Sequence, residues 1–316
     1  ADATYRQRRL RCLFNRGPLF YLEMQFRLFF YLLFSSRSSV YGAVDLDTLP
    51  ANWMVSRLRR AELLFDAHEI FDRVPELEGK PFVRWVWRTT GKFFVPAAKY
   101  RWTVNQSLAD RFKAEYSSDF EVIRNLPEPG MNGVNTRRKH RLILYQGRVN
   151  KGRGLEEAIE TMRFLPEFQL VIAGGGDIEA HLRYRVYQLK LNNVTITGDQ
   201  SPEQLRNWTA QAWIGLNLLD EESGNYYFSL ANKFFDYMAF GVPSISMDFP
   251  EYRLLNDRYH FSLLIPKLNP LIICRAIEKL DKDPNLHSTL SENALKAYAV
   301  LNWQNESEKV VRSLLT

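Results

Sequence analysis

The sequence predicts an α/β protein built of two doubly wound domains, and three observations carry that prediction. From Val40 onward, short apolar runs alternate with longer helix-like segments, the βαβ rhythm of a parallel sheet. A polar stretch, EPGMNGVNTRRKHR (residues 128–141), interrupts that rhythm. Beyond it the rhythm restarts with a strand, a basic glycine loop and a helix. A chain of 316 residues is long enough for two such domains. The expected division is a first domain over residues 1–128, a linker over 129–141 and a second domain from residue 142.

Composition narrows the class of function. Hydrophobic residues at 46% and charged residues at 25% describe a soluble globular protein. A net charge of +6 fits an anionic ligand or surface without choosing among nucleotide, nucleic acid and lipid headgroup. Aromatic residues follow core periodicity and do not interleave with a basic stripe, so nucleic acid is not the expected partner. Cys12 and Cys274 stand far apart with no partner motif, which argues against a disulfide framework and for a reducing compartment. No stretch has the apolar length of a membrane span.

The first 43 residues are the oddest part. Arg6, Arg8, Arg9, Arg11, Arg16, Arg27 and Arg37 face only Asp2 and Glu23, and PLFYLEMQFRLFFYLLF (18–34) reads as an aromatic helix. It suits either an interfacial face for an anionic membrane or a helix packed on its domain's sheet with arginines in water, and we favour packing. No opening strand with a Gly-rich turn is seen, so the first βα units are expected to be missing from this chain.

The elements then follow in order. Residues 40–44 (VYGAV) form a strand and LPANWMVSRLRR a helix; Leu63–Phe65 is a strand ending in Asp66, Ala67, His68 and Glu69. Ligands of open parallel sheets gather at the carboxyl ends of strands, which places His68 well, although a lone His is more often structural. Asp45-Leu-Asp47 is a DxD after a strand, a weak metal–diphosphate signal, and we read these acids as loop and helix-start residues with no metal. Residues 81–98 form an aromatic helix, 100–105 a strand, about 107–116 a helix, and 120–127 end the domain.

In the second domain the strand RLILYQG (141–147) passes through RVNKGRG into a helix over Leu155–Phe164. Arg148, Lys151 and Arg153 then stand where cations and backbone amides can face a diphosphate, though no P-loop motif is present and a solvated turn would look alike. FQLVIAGGGD (168–177) is a strand running into three glycines, which allow close approach to a ligand or simply a tight turn. VTITG (194–198) is the next strand. SPEQLRNWTAQA is a helix with Ser201 as cap, and WIGLNLLD leads to Glu221 and Glu222, candidate polar contacts.

The stretch after it, ESGNYYFSLANKFFDYMAFGVP (222–243), carries the densest signal. Ser229 is read as an N-cap, Leu230–Phe240 as a helix, and Gly241 and Pro243 as its stop. Asn232 and Asp236 share a face with Lys233 beside them, while Phe234, Phe235 and Met238 supply a buried side. Amides at a helix start, an amine and a carboxylate suit a phosphorylated, hydroxyl-bearing ligand; an amphipathic core helix with a wet polar face would have the same spacing.

NKFFDYMAFGVPSIS resembles the nucleotide-sugar segment of retaining glycosyltransferases of the GT-B fold, the glycosyltransferase family 4 type. The resemblance runs from Val40 onward and is strongest over Leu142–Pro250. It implies two Rossmann-like domains facing across a cleft, a second domain over 142–298, and a closing segment, 299–316, that crosses back onto the first. It implies that Asp236 and Asn232, with Gly147 and Ser229, hold donor ribose and sugar, and that Arg148, Lys151, Arg153 and Lys233 hold the diphosphate. Thr197 and Gly198 would rest against the base, and His68 would serve catalysis near sugar and acceptor. The implied partners are a UDP- or GDP-linked sugar and a glycan or lipid-linked acceptor, with no cofactor or metal. The implied setting is cytoplasmic surface-glycan or glycolipid assembly, with peripheral membrane contact through residues 6–37.

One departure stands out. The family's second Glu, eight positions before Asp236, is Phe228 here. It prompts one alternative, a non-catalytic nucleotide-sugar-binding partner subunit; a nucleotide-sugar epimerase, which can share this fold, is the other.

Overall fold

A computed structural model describes residues 7–35, 37–73, 77, 79–131, 138–220 and 224–315; Arg6, Glu221 and Glu222 lie outside them. The chain forms two compact units, one over Ala1–Ile123 and one over Arg124–Leu315.

The first unit runs α1 (Gly17–Phe34), β1 (Val40–Val44), α2 (Leu49–Arg59), β2 (Glu62–Ala67), α3 (Pro81–Phe94), β3 (Tyr100–Thr103), α4 (Gln106–Tyr116) and β4 (Glu121–Val122). Its strands form a parallel sheet of order β1-β2-β3-β4. Leu63, Phe65, Trp102 and Ala43 on the strands are buried with Leu49, Val55, Leu108 and Phe112 on the helices. Asn105 caps α4, its side chain accepting from the Leu108 amide at 2.9 Å.

The aromatic helix α1 differs from its expectation. None of its residues is buried, and it leans on α2 instead of sinking against the sheet. Gln25 accepts from the Ala51 amide at 2.9 Å and donates to the Asp47 carbonyl, and Arg59 donates to the carbonyls of Leu33 and Ser35. Those polar clamps hold the helix while leaving Leu19, Leu22, Phe26 and Phe34 exposed.

The second unit continues with β5 (Leu142–Gln146), α5 (Leu155–Thr161), β6 (Gln169–Ala173), α6 (Glu179–Gln188), β7 (Val194–Gly198), α7 (Pro202–Gln211), β8 (Ile214–Asn217), α8 (Gly224–Tyr227), α9 (Asn232–Ala239), β9 (Ser244–Met247), α10 (Pro250–Tyr259), β10 (Ser262–Ile265), α11 (Pro270–Lys282), α12 (Pro284–Val300) and α13 (Trp303–Leu315). The sheet is six-stranded and parallel, of order β10-β9-β8-β5-β6-β7. The order reverses between β5 and β8, and in such sheets ligands bind at the carboxyl ends of the strands at that reversal.

Residues 124–131 belong to the second unit because its last helices hold them. Glu306 accepts from the Arg124 amide at 2.8 Å, the Trp303 amide donates to the Pro127 carbonyl at 2.9 Å, and the Met131 amide donates to the Tyr298 hydroxyl at 3.1 Å. The expected cap at Ser201 is present as a capping box with Gln204, which fixes the start of α7.

Candidate active site

At the β5–β8 reversal, side chains from β5, α7 and α9 meet under the loop that follows β5. Gln146, the last residue of β5, is buried. Its Nε2 donates to Asp236 Oδ2 on α9 at 2.7 Å, and its Oε1 accepts from Thr209 Oγ1 on α7 at 2.6 Å. The next residue on α9, Tyr237, accepts from the Gln146 amide at 3.3 Å and donates to the Leu144 carbonyl at 3.0 Å.

Lys233 is the unusual member. Only 7% of it is exposed, and its Nζ has no hydrogen-bond partner among the described residues. The ammonium sits 3.7 Å from the ring centroid of buried Tyr145. Burial, reinforced by the positive charge of Arg153, pushes its pKa well below the ordinary lysine value, with Asp236 pulling the other way. Arg153 lies 4.7 Å over the Tyr226 ring, and its buried Nε is also without a partner. Burial raises the Asp236 carboxyl to about 6, against the opposing pulls of Gln146 and Lys233. Burying a cation without a hydrogen bond is costly, so among the described residues this cluster is electrostatically incomplete.

The glycine loops around it make room for backbone. Gly147 has φ 119°, and a Cβ on Gly174 (φ 150°) would lie 1.9 Å from the Gly147 carbonyl oxygen. A Cβ on Gly176 would lie 2.3 Å from the Val149 carbonyl oxygen. The triple glycine therefore lets the loops after β5 and β6 pack on each other.

The sequence-predicted residues divide into those this centre gathers and those it does not. Gly147, Arg153, Lys233 and Asp236 come together. Arg148 and Lys151 are exposed; Arg148 pairs with Asp199 at 3.3 Å, and Lys151 offers its carbonyl to Tyr226 at 3.4 Å. Thr197 and Gly198 end β7, where Thr197 Oγ1 donates to its neighbour's carbonyl at 3.1 Å and Gly198 bridges to Gly174.

Ser229 is not the cap of α9. Its hydroxyl turns back to the Tyr226 carbonyl at 2.8 Å, the cap is Ala231, and the helix begins at exposed Asn232. The Ala231 amide instead donates to the Tyr252 hydroxyl at 3.0 Å. The predicted stop is present: Gly241 has φ 62°, with Gly241 N to Met238 O at 3.0 Å and Val242 N to Tyr237 O at 2.8 Å closing the turn. Gln146, Thr209 and Tyr145 were missed, because each reads as an ordinary position in its own element.

The first unit has a polar cluster of its own. His68 Nε2 lies 3.1 Å from Asp66 Oδ2, and the His68 amide donates to Asp45 Oδ1 at 2.9 Å. The Asp66 hydrogen bond raises the His68 pKa above its usual value despite burial. Burial, then the neighbouring Asp45, raises Asp47 to about 6. Among the described residues no group of three or more His, Cys, Asp or Glu side chains is arranged to hold a metal ion.

Two parallel-sheet Rossmann-like units define a protein of the GT-B class. The model of the family described as Glycosyl transferases group 1 matches residues 131–297, more than half of the chain, and the protein belongs to that family. Among curated proteins no sequence match is found.

Solved structures agree in fold. HepE of Anabaena, in complex with UDP-glucose, is 14% identical with a TM-score of 0.75, covering 94% of this chain and 84% of its own. Sucrose-phosphate synthase from Thermosynechococcus elongatus is 18% identical with a TM-score of 0.74, covering 95% and 82%. A glycosyltransferase from Rickettsia africae is 14% identical with a TM-score of 0.70, covering 96% and 82%. At such identities these likenesses speak for the fold alone.

Proposed function

We propose that this glycosyltransferase takes a sugar from a nucleotide-sugar donor held by the second unit and passes it to an acceptor hydroxyl with retention, without a metal or other cofactor. The observation that carries the reading is the buried, unpartnered Lys233 ammonium beside Arg153 at the strand-order reversal. A diphosphate there would supply hydrogen bonds that Lys233 Nζ and Arg153 Nε lack among the described residues. HepE is described with UDP-glucose bound, which makes a UDP-linked sugar the first donor to try and a GDP-linked one the second.

On this reading Lys233 and Arg153 hold the diphosphate, with Arg148 and Lys151 at the solvent side. Asp236 accepts from a ribose hydroxyl, and Gly147, Ser229 and Asn232 border ribose and sugar. Thr197 and Gly198 lie beside the base. As the bond from the anomeric carbon to the diphosphate breaks, the cations stabilise the negative charge on the departing oxygen, the acceptor oxygen bonds to that carbon, and the acceptor hydroxyl's proton passes to the departing diphosphate oxygen. His68, oriented by Asp66, is assigned to the acceptor or the sugar.

For the acceptor we propose a glycan or a lipid-linked chain of surface-glycan assembly. The exposed Leu19, Leu22 and Phe26 of α1, with Arg8, Arg11 and Arg27 around Phe26, suit peripheral contact with an anionic lipid surface.

Incubation with UDP- and GDP-sugars tests the reading. We expect slow release of one nucleoside diphosphate by the wild type and at least about a tenfold loss in Asp236→Ala, the scale of a charged hydrogen bond. Release from neither donor class, together with no nucleotide binding, would overturn it. Phe228, packed edge-on against Tyr227 where the family has Glu, favours one second reading, a donor-binding partner subunit. Nucleotide binding without turnover would select it.

A further inference from the structure

We propose that Gln146 and Thr209 are positioning residues for the donor: the buried chain Thr209–Gln146–Asp236 aims one carboxylate oxygen of Asp236 at the ligand's ribose. The inference rests on the reading of Asp236 as the ribose acceptor.

The hydrogen-bond chemistry of the three groups permits one arrangement around an ionised Asp236. A carboxylate only accepts, so the amide nitrogen of Gln146 must face Asp236 Oδ2, as it does at 2.7 Å. The amide oxygen then faces Thr209 Oγ1, whose one hydrogen is shared between it at 2.6 Å and the Leu205 carbonyl at 2.8 Å. Thr209 is itself buried on α7, the helix whose start the Ser201–Gln204 box fixes. The Gln146 backbone is tied to α9 separately, through the Tyr237 hydroxyl. β5, α7 and α9 are thus joined at a single amide.

The consequence falls on Asp236. Its Oδ2 is occupied, while its Oδ1 accepts from none of the described residues. A carboxylate pinned at one oxygen presents the other in a fixed plane, so a ribose hydroxyl meets a preorganised acceptor. Without the amide the carboxylate would rotate between rotamers, and its buried oxygen would seek another donor.

The test is calorimetric titration with UDP and GDP beside their 2′-deoxy and 3′-deoxy forms, using Gln146→Leu, Thr209→Val, Thr209→Ser and Asp236→Ala. We expect the wild type to prefer the ribose form of its nucleotide by about tenfold or more, and Asp236→Ala to lose that preference. Gln146→Leu should shrink the preference to about twofold while leaving deoxynucleotide affinity near the wild-type value. Thr209→Val should fall between, and Thr209→Ser, which keeps the hydroxyl, should restore it.

A merely structural role would weaken ribose and deoxy forms alike, and that result in Gln146→Leu would overturn the proposal. If Gln146→Leu fails to fold, equal preferences in Thr209→Val and wild type overturn it. A wild type without ribose preference, or an Asp236→Ala protein that keeps it, would instead refute the ribose role of Asp236 and take this inference with it.

Discussion

Two polar clusters stand at strand ends in this molecule, and they are built on opposite terms. In the first unit His68, Asp66 and Asp45 answer one another: the imidazole meets one carboxylate and the backbone amide meets the other. In the second unit Lys233 is more deeply buried, and among the described residues its ammonium has the face of Tyr145 but no hydrogen-bond partner. One cluster is complete within the chain. The other stores a desolvation cost that an anionic ligand would relieve, which is how binding sites commonly trade stability for affinity.

The largest effect that would break this comparison is steric. Gly174→Ala forces a Cβ against the Gly147 carbonyl in a backbone region costly for L residues, and should destabilise the second unit by about 3 kcal/mol or more. Thermal or urea unfolding reads it directly, and an unchanged midpoint would mean that the two loops are not packed as described.

Next in size is the stored cost itself. Lys233→Met should stabilise the ligand-free protein by about 1–3 kcal/mol at pH 7. The sign follows from its pKa, which folding lowers: the unfolded chain binds a proton there that the fold resists, so native stability rises with pH toward the ordinary lysine value. Urea midpoints at pH 6 and pH 9 should therefore converge in the variant.

Asp236 and Asp47 sharpen the contrast in pH. Both are raised to about 6, so each contributes stability that is full below about pH 4 and is lost as pH rises through 6. Asp47→Asn should flatten that loss by about 1 kcal/mol, seen as a smaller drop in melting temperature between pH 4 and pH 7. The smallest effect belongs to the first cluster. Asp66→Asn should bring the His68 pKa, followed by NMR, down toward the usual value near 6.5. Because the pair is partly solvated, the accompanying stability change should stay under about 1 kcal/mol, favouring the wild type most below that pH.

The fold was legible because each element announces itself locally. Apolar runs bounded by turn residues marked the strands, and Gly241 with Pro243 marked the end of α9. The candidate site was legible where polar groups and glycines crowd one segment, as Gly147 and Arg153 do after β5 and Lys233 and Asp236 do on α9. Ser229 misled because residue type identifies a possible cap but not where the hydroxyl turns. Gln146 and Thr209 left no signal, being 63 positions apart and joined only when β5 and α7 pack. Lys233 was legible as a cation, but its isolation became visible only once Tyr145 covered it.

The central claim is that the cations of the second unit wait for a diphosphate. The most direct measurement is calorimetric titration of wild type and Lys233→Met with UDP and with GDP. We predict micromolar or tighter binding of one nucleotide to the wild type, weakened about a hundredfold in Lys233→Met although that variant is the more stable protein. Equal affinity in the two proteins, or no binding to either nucleotide, would contradict the account.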